Sequence, residues 1–118
     1  MYSPQVLEQF QNTRHAGDLP DATAIARVEN PACGDILQLA IKVADGRITE
    51  AKFRARGCVA AIACGSQLAE MVMGQTVAQA QGLSREHLVE ALGGLPDGSA
   101  HASHLAMDAL AAALKDCR

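Results

Sequence analysis

Aromatic side chains are nearly absent from this chain: 3% of 118 residues, with no tryptophan, one tyrosine and two phenylalanines. Bulky filling is scarce, so alanine must supply much of the core that a 49% apolar content permits, and helices should approach one another closely. A basic excess is also lacking. Ten Lys and Arg against thirteen Asp and Glu leave a formal charge of −3, which argues against a nucleic-acid partner. No long like-charge run suggests a disordered tail. There is no long hydrophobic run either; the stretch around "VAAIAC" is far too short to span a bilayer. The start, "MYSPQVLEQF", lacks the basic residues and apolar run of a secretory signal. The expectation is a cytoplasmic, reducing location, with no membrane among the partners. Four cysteines are present, Cys33, Cys58, Cys64 and Cys117, but no C-x-x-C pair, so no zinc-finger spacing exists. In a reducing compartment they point to metal binding or thiol chemistry rather than to disulfides.

The length suits a single domain over residues 1–118. Ser3-Pro4 predicts a helix start, serine as cap and proline in the first turn, with Val6, Leu7 and Phe10 as the apolar side. "DLPDA" reads as a loop and "TAIARVE" as a weak strand. "DILQLAIKV" is a clear strand: Leu37, Leu39, Ile41 and Val43 face one way, Gln38 and Lys42 the other. Asp45-Gly46 is a hairpin turn signal, and "RITEAKFRA" returns with Ala51, Phe53 and Ala55 inward and Lys52, Arg54 and Arg56 on a solvated face. Ile48 is out of phase with that set, which predicts a bulge or a covered edge.

After Gly57-Cys58 a helix is expected, with a stripe of Ala61, Cys64, Leu68, Met71 and Val72 and Gly74 as its end. Short helices follow Thr76 and Ser84, the second ended by Gly93-Gly94. A last helix runs from about His101 to Lys115, with Leu105, Ala109, Leu110, Ala113 and Leu114 inward. The order of helix, antiparallel strands, then helices gives an α+β fold, a small antiparallel sheet with helices packed on one face.

Three places stand out, all at element ends: Cys33-Gly34-Asp35 before one strand, Gly57-Cys58 after its hairpin partner, and His101 at the start of the last helix. In an antiparallel hairpin the beginning of one strand lies beside the end of the next, so Cys33 and Cys58 fall at the same sheet edge. The segments "YSPQVLEQFQN", "NPACGD", "KFRARGCVAAIA" and "HASHLAMDAL" together resemble the U-type iron–sulfur cluster assembly scaffolds, IscU and the N-terminal domain of NifU, over almost the whole chain. The resemblance implies an IscU/SufE-like fold and a non-enzymatic scaffold that accepts sulfur from a cysteine desulfurase, takes up ferrous iron, assembles a transient [2Fe–2S] cluster and passes it to acceptor proteins. Carried over residue by residue, it implies that Cys33, Asp35, Cys58 and His101 hold the metal or cluster. The family's third cysteine directly follows its histidine; here that position is Ala102, and the chaperone-recognition stretch before it is replaced by "LPDGS". The chain is thus similar to a divergent, NifU-like member lacking one thiolate.

The remaining four donors still suffice for a cluster, since imidazole can replace thiolate, and a hard, exchangeable carboxylate suits a site that must release its cargo. Two other readings stand beside this one. The same four residues could hold zinc while a cysteine relays sulfur as a persulfide, or the chain could be a degenerate regulatory member that binds no metal. Cys64, on the helix stripe, is expected to be a core residue, His104 a surface residue and Cys117 a frayed terminal thiol.

Overall fold

Ser3 starts the first helix as the serine–proline pair requires. Its hydroxyl accepts the Val6 N–H at 3.0 Å and also donates to the Leu92 carbonyl, so α1 (Pro4–Gln11) is capped and tied to a distant loop by one side chain. The computed structural model describes residues 2–31 and 34–117. Beyond α1 come β1 (Ala24–Glu29), β2 (Ile36–Ala44) and β3 (Arg47–Arg56), then α2 (Val59–Val72), α3 (Val77–Gln81), α4 (Arg85–Ala91) and α5 (Ala100–Lys115). The three strands form one antiparallel sheet in the order β1-β2-β3.

Alternation along the strands makes one face apolar. Ala24, Ala26, Leu37, Leu39, Ile41, Ala51 and Phe53 are buried beneath α2 and α5, while Ile25, Arg27, Arg54 and Arg56 are exposed on the other face. The Leu39↔Phe53 and Ala26↔Leu39 pairings put these apolar groups side by side. Leu39 and Ile41 are 1% and 0% exposed, and burial of a side chain this size contributes about 1.5–3 kcal/mol. Arg54 on the outer face forks onto Asp18, Nε–Oδ1 2.6 Å and Nη2–Oδ2 2.9 Å, which holds the Asp18 carboxyl below its ordinary range.

The hairpin turns at Asp45 and Gly46, both at positive φ. The register shifts between Lys42 and Val43, and Ile48, the out-of-phase residue, is fully buried. Its N–H donates to the Gln75 carbonyl and its carbonyl accepts the Gly74 N–H, each at 2.8 Å, so the chain after α2 covers the end of β3. Both a bulge and a covered edge are present.

Scarcity of large side chains shows most in α2. A Cβ on Gly65 would stand 2.7 Å from Leu37 Cδ1 and 2.8 Å from Phe53 Cδ2, so glycine there lets the helix lie close on the sheet. The buried part of α2 is much wider than the expected stripe: Ala60, Ala63, Gly65, Ser66 and Ala69 are buried together with Ala61, Cys64, Leu68 and Val72, whereas Met71 is half-buried. The cause is its central place, with α1, the sheet, α4 and α5 all packed on it.

Two sequence expectations are overturned. Val6 is buried as expected, but Leu7 and Phe10 are 42% and 37% exposed, and α1 buries Gln9 in their place. Gln9 goes inward because α2 satisfies its amide: Nε2 donates to Gln67 Oε1 at 2.9 Å and Glu70 Oε2 at 3.0 Å, and Oε1 accepts from Ser66 Oγ at 2.6 Å. Cys117 is not frayed. It is 6% exposed, and its thiol donates to the Ala113 carbonyl at 3.5 Å. Among the described residues, no helix is long and apolar enough to cross a membrane.

Candidate metal centre

Backbone hydrogen bonds tie the two described ends of the β1–β2 loop together. Asn30 N–H donates to the Asp35 carbonyl at 2.8 Å, and Gly34 N–H to the Asn30 carbonyl at 2.7 Å, with Gly34 at φ +77°. That left-handed angle is open to glycine without a steric cost. Cys33, expected as a ligand, lies outside the described residues; in the chain it precedes Gly34 and Asp35 directly. Asp35 itself is only 5% exposed, unusual for a carboxylate.

Across the sheet, β3 ends at Arg56, paired with Ile36. Gly57 breaks the ladder at φ +148° and Cys58 caps α2 in extended conformation. The Cys58 side chain makes no capping bond to α2. It turns to the neighbouring loop instead, and its Sγ donates to Asp35 Oδ2 at 3.6 Å. The third element is the start of α5. His101, in its first turn, places Nε2 3.3 Å from the same oxygen, Asp35 Oδ2. A carboxylate oxygen, a thiol and an imidazole nitrogen thus lie within 4.8 Å of one another, at the end of the sheet. Cys58 is half-buried and the His101 side chain 36% exposed, so the cluster is open to solvent and to a partner.

Carboxylate, thiolate and imidazole are together a borderline set suited to iron or zinc. Donors around one tetrahedral ion, at about 2.0–2.3 Å from it, sit roughly 3.3–3.7 Å apart. The 3.6 Å and 3.3 Å contacts to Asp35 Oδ2 match that spacing. A family model for the NifU-like N terminal domain matches residues 1–118. The chain belongs to this family.

Among its relatives, iron–sulfur cluster assembly scaffold protein IscU 1 of Archaeoglobus fulgidus is 47% identical over 98% of this chain and 76% of its own length. IscU of Haemophilus influenzae is 40% identical over 98% of this chain and 94% of its own. The N-terminal part of a nitrogen-fixing NifU-like protein from Brucella abortus has the same fold, with a TM-score of 0.80 over 97% of this chain and 92% of that one at 21% identity.

Among the described residues, Cys64 and His104 are not part of this group. Cys64 is fully buried inside α2, and burial, with Cys58 nearby, pushes its thiol up to about 12. His104 is exposed. Ala102 is 1% exposed, next to His101. Two supports were not foreseen. Arg85 of α4 donates to Ser103 Oγ at 3.4 Å, while Ser103 donates to the Ala100 carbonyl at 2.7 Å, which braces the turn carrying His101. In the sequence Gly57 marks only the end of a strand, yet in the fold it sits against the Asp35 carboxylate. A serine one turn into a helix carries no sequence signal of such bracing.

Proposed function

We propose that this chain is a scaffold on which iron and sulfur are joined into a cluster, a [2Fe–2S] unit, that is then handed to acceptor proteins. The carrying observation is that one buried oxygen, Asp35 Oδ2, touches both Cys58 Sγ and His101 Nε2, in a chain whose relatives are named cluster assembly scaffolds. Ferrous iron enters at Asp35, Cys58 and His101, and Cys33, two positions before Asp35 in the chain, supplies a further thiolate. Metal entry displaces the Cys58 proton that now bonds Asp35, because only the thiolate ligates. Asp35 is the hard and most exchangeable donor of the set, suited to release.

Sulfur arrives from a cysteine desulfurase. The Cys58 thiolate attacks the outer sulfur of the donor's persulfide, an S–S bond forms at Cys58, and the donor's own thiolate leaves. Each transferred sulfur then takes two electrons to become sulfide as its S–S bond breaks and the Cys58 thiolate is restored; for two sulfurs, two ferrous ions supply two of the four electrons and an external thiol or electron-transfer protein supplies the other two. The half-buried Cys58 can be reached for this; the fully buried Cys64 cannot.

The spacing of Asp35, Cys58 and His101 also favours a second reading, in which one zinc ion occupies the site and the protein relays sulfur without building a cluster. Anaerobic incubation with ferrous iron, a desulfurase, cysteine and a thiol reductant separates the two. The scaffold reading expects bound iron with an equal amount of acid-labile sulfide and visible charge-transfer absorption. Zinc that iron does not displace, with persulfide but no labile sulfide, would establish the relay instead.

A further inference from the structure

We infer that Gly57 is the positioning residue for Asp35: its bare α-carbon makes the seat of Asp35 Oδ1, and that seat turns Oδ2 onto Cys58 and His101. The inference rests on Asp35, Cys58 and His101 being the ligand set proposed above.

The ladder explains how the two residues meet. Ile36↔Arg56 is the last pair between β2 and β3, so positions 35 and 57 face each other one step beyond it. At that step the chain leaves β3 with Gly57 at φ +148°. A Cβ built there would stand 2.2 Å from Asp35 Oδ1, 2.5 Å from Cγ and 3.1 Å from Cβ. Those atoms are not the loose end of a flexible chain. Asp35 is 5% exposed, and its other oxygen holds Cys58 at 3.6 Å and lies 3.3 Å from His101. The carboxylate cannot retreat from a methyl group without drawing Oδ2 off both donors.

Gly34 supplies the contrast. It too has positive φ, +77°, and sits beside Asp35 in the chain, but a Cβ there would meet nothing within 4 Å among the described residues. Gly34 serves the backbone angle, whereas Gly57 serves both the angle and the carboxylate.

A double-mutant cycle tests this. Gly57→Ala and Gly34→Ala are each made in the native chain and in Asp35→Ala, then followed by thermal melting of the metal-free proteins and by Zn²⁺ affinity in competition with a chelator. Gly57→Ala in the native chain is expected to weaken Zn²⁺ binding about 10–100-fold, as losing a ligand's outer support does. In Asp35→Ala it should change the affinity by less than about twofold, with a smaller loss of melting temperature than in the native chain. Gly34→Ala should cost the same melting temperature in both backgrounds. Equal losses for Gly57→Ala with and without the carboxylate, or wild-type affinity in Gly57→Ala, would overturn the inference. Should Gly57→Ala not fold, recovery of folding in Asp35→Ala/Gly57→Ala supports it and failure to recover refutes it. If the native chain binds no Zn²⁺, the ligand reading fails, and the metal-free melting cycle alone decides the role of Gly57.

Discussion

In the folded protein Cys64 should react with an alkylating reagent at least a thousandfold more slowly than an ordinary exposed thiol. Only the thiolate attacks, so the rate follows its fraction. Burial, reinforced by Cys58 nearby, raises the Cys64 thiol from 9.0 to about 12. At about pH 8 the thiolate fraction falls from roughly one in ten to roughly one in ten thousand, three decades from ionisation alone. Cys64 is also 0% exposed, so the reagent must wait for an opening of α2, which slows the reaction further. The assay is timed iodoacetamide labelling of the metal-free protein, read peptide by peptide, with a guanidinium-unfolded control in which all cysteines react alike. Cys58, half-buried at the helix start, should be modified well before Cys64. Comparable rates for Cys58 and Cys64 in the folded protein would refute the reasoning and return Cys64 to the candidate ligands and sulfur acceptors.

The same thiol should shape alkaline stability. Below about pH 9 it is protonated folded and unfolded, and above that only the unfolded chain ionises, so about 2 kcal/mol is lost by about pH 10.5. Urea melts of Cys64→Ala should show that much less alkaline loss than the native chain; an identical slope would contradict the cause. Gln9→Ala should lower stability by about 1–3 kcal/mol, since it leaves the Ser66 hydroxyl, 1% exposed, without its acceptor. Adding Ser66→Ala should cost little more, and fully additive losses would show that the two act separately. Ala102→Cys places a soft sulfur beside His101 and should make a reconstituted cluster last longer against a chelator and transfer more slowly; unchanged release would exclude a role for that position.

Legibility in the sequence followed the physics of each element. The strands were plain because a sheet covered on one face writes a period of two, as in Leu37, Leu39 and Ile41 against Gln38 and Lys42. The Asp45-Gly46 turn then fixed which strand ends are neighbours, and so brought Asp35 and Cys58 to one edge. His101 could not be placed by that route, because nothing local says which way α5 crosses the sheet; the resemblance to cluster scaffolds carried it. The face of α1 was misread since Leu7 and Phe10 look like a core stripe, whereas Gln9 goes inward only because Ser66, Gln67 and Glu70 wait on a helix nearly sixty residues later. No periodicity records such a partner. The width of the buried face of α2 was hidden likewise, because alanine and glycine read as neutral until their neighbours are known. Gly57 looked like punctuation and proved to be a contact.

The central claim is that Asp35, Cys58 and His101, with Cys33, hold the iron of a cluster under construction. Its most direct test is bound iron and acid-labile sulfide after anaerobic reconstitution of the native chain, of Cys33→Ala, Asp35→Ala, Cys58→Ala and His101→Ala, and of Cys64→Ala. The native chain and Cys64→Ala should carry iron and sulfide in equal amounts with the same visible spectrum. Cys33→Ala and Cys58→Ala should carry neither, and Asp35→Ala and His101→Ala should show a changed spectrum or altered retention. A cluster destroyed by Cys64→Ala yet unchanged in Cys58→Ala and His101→Ala would contradict the account.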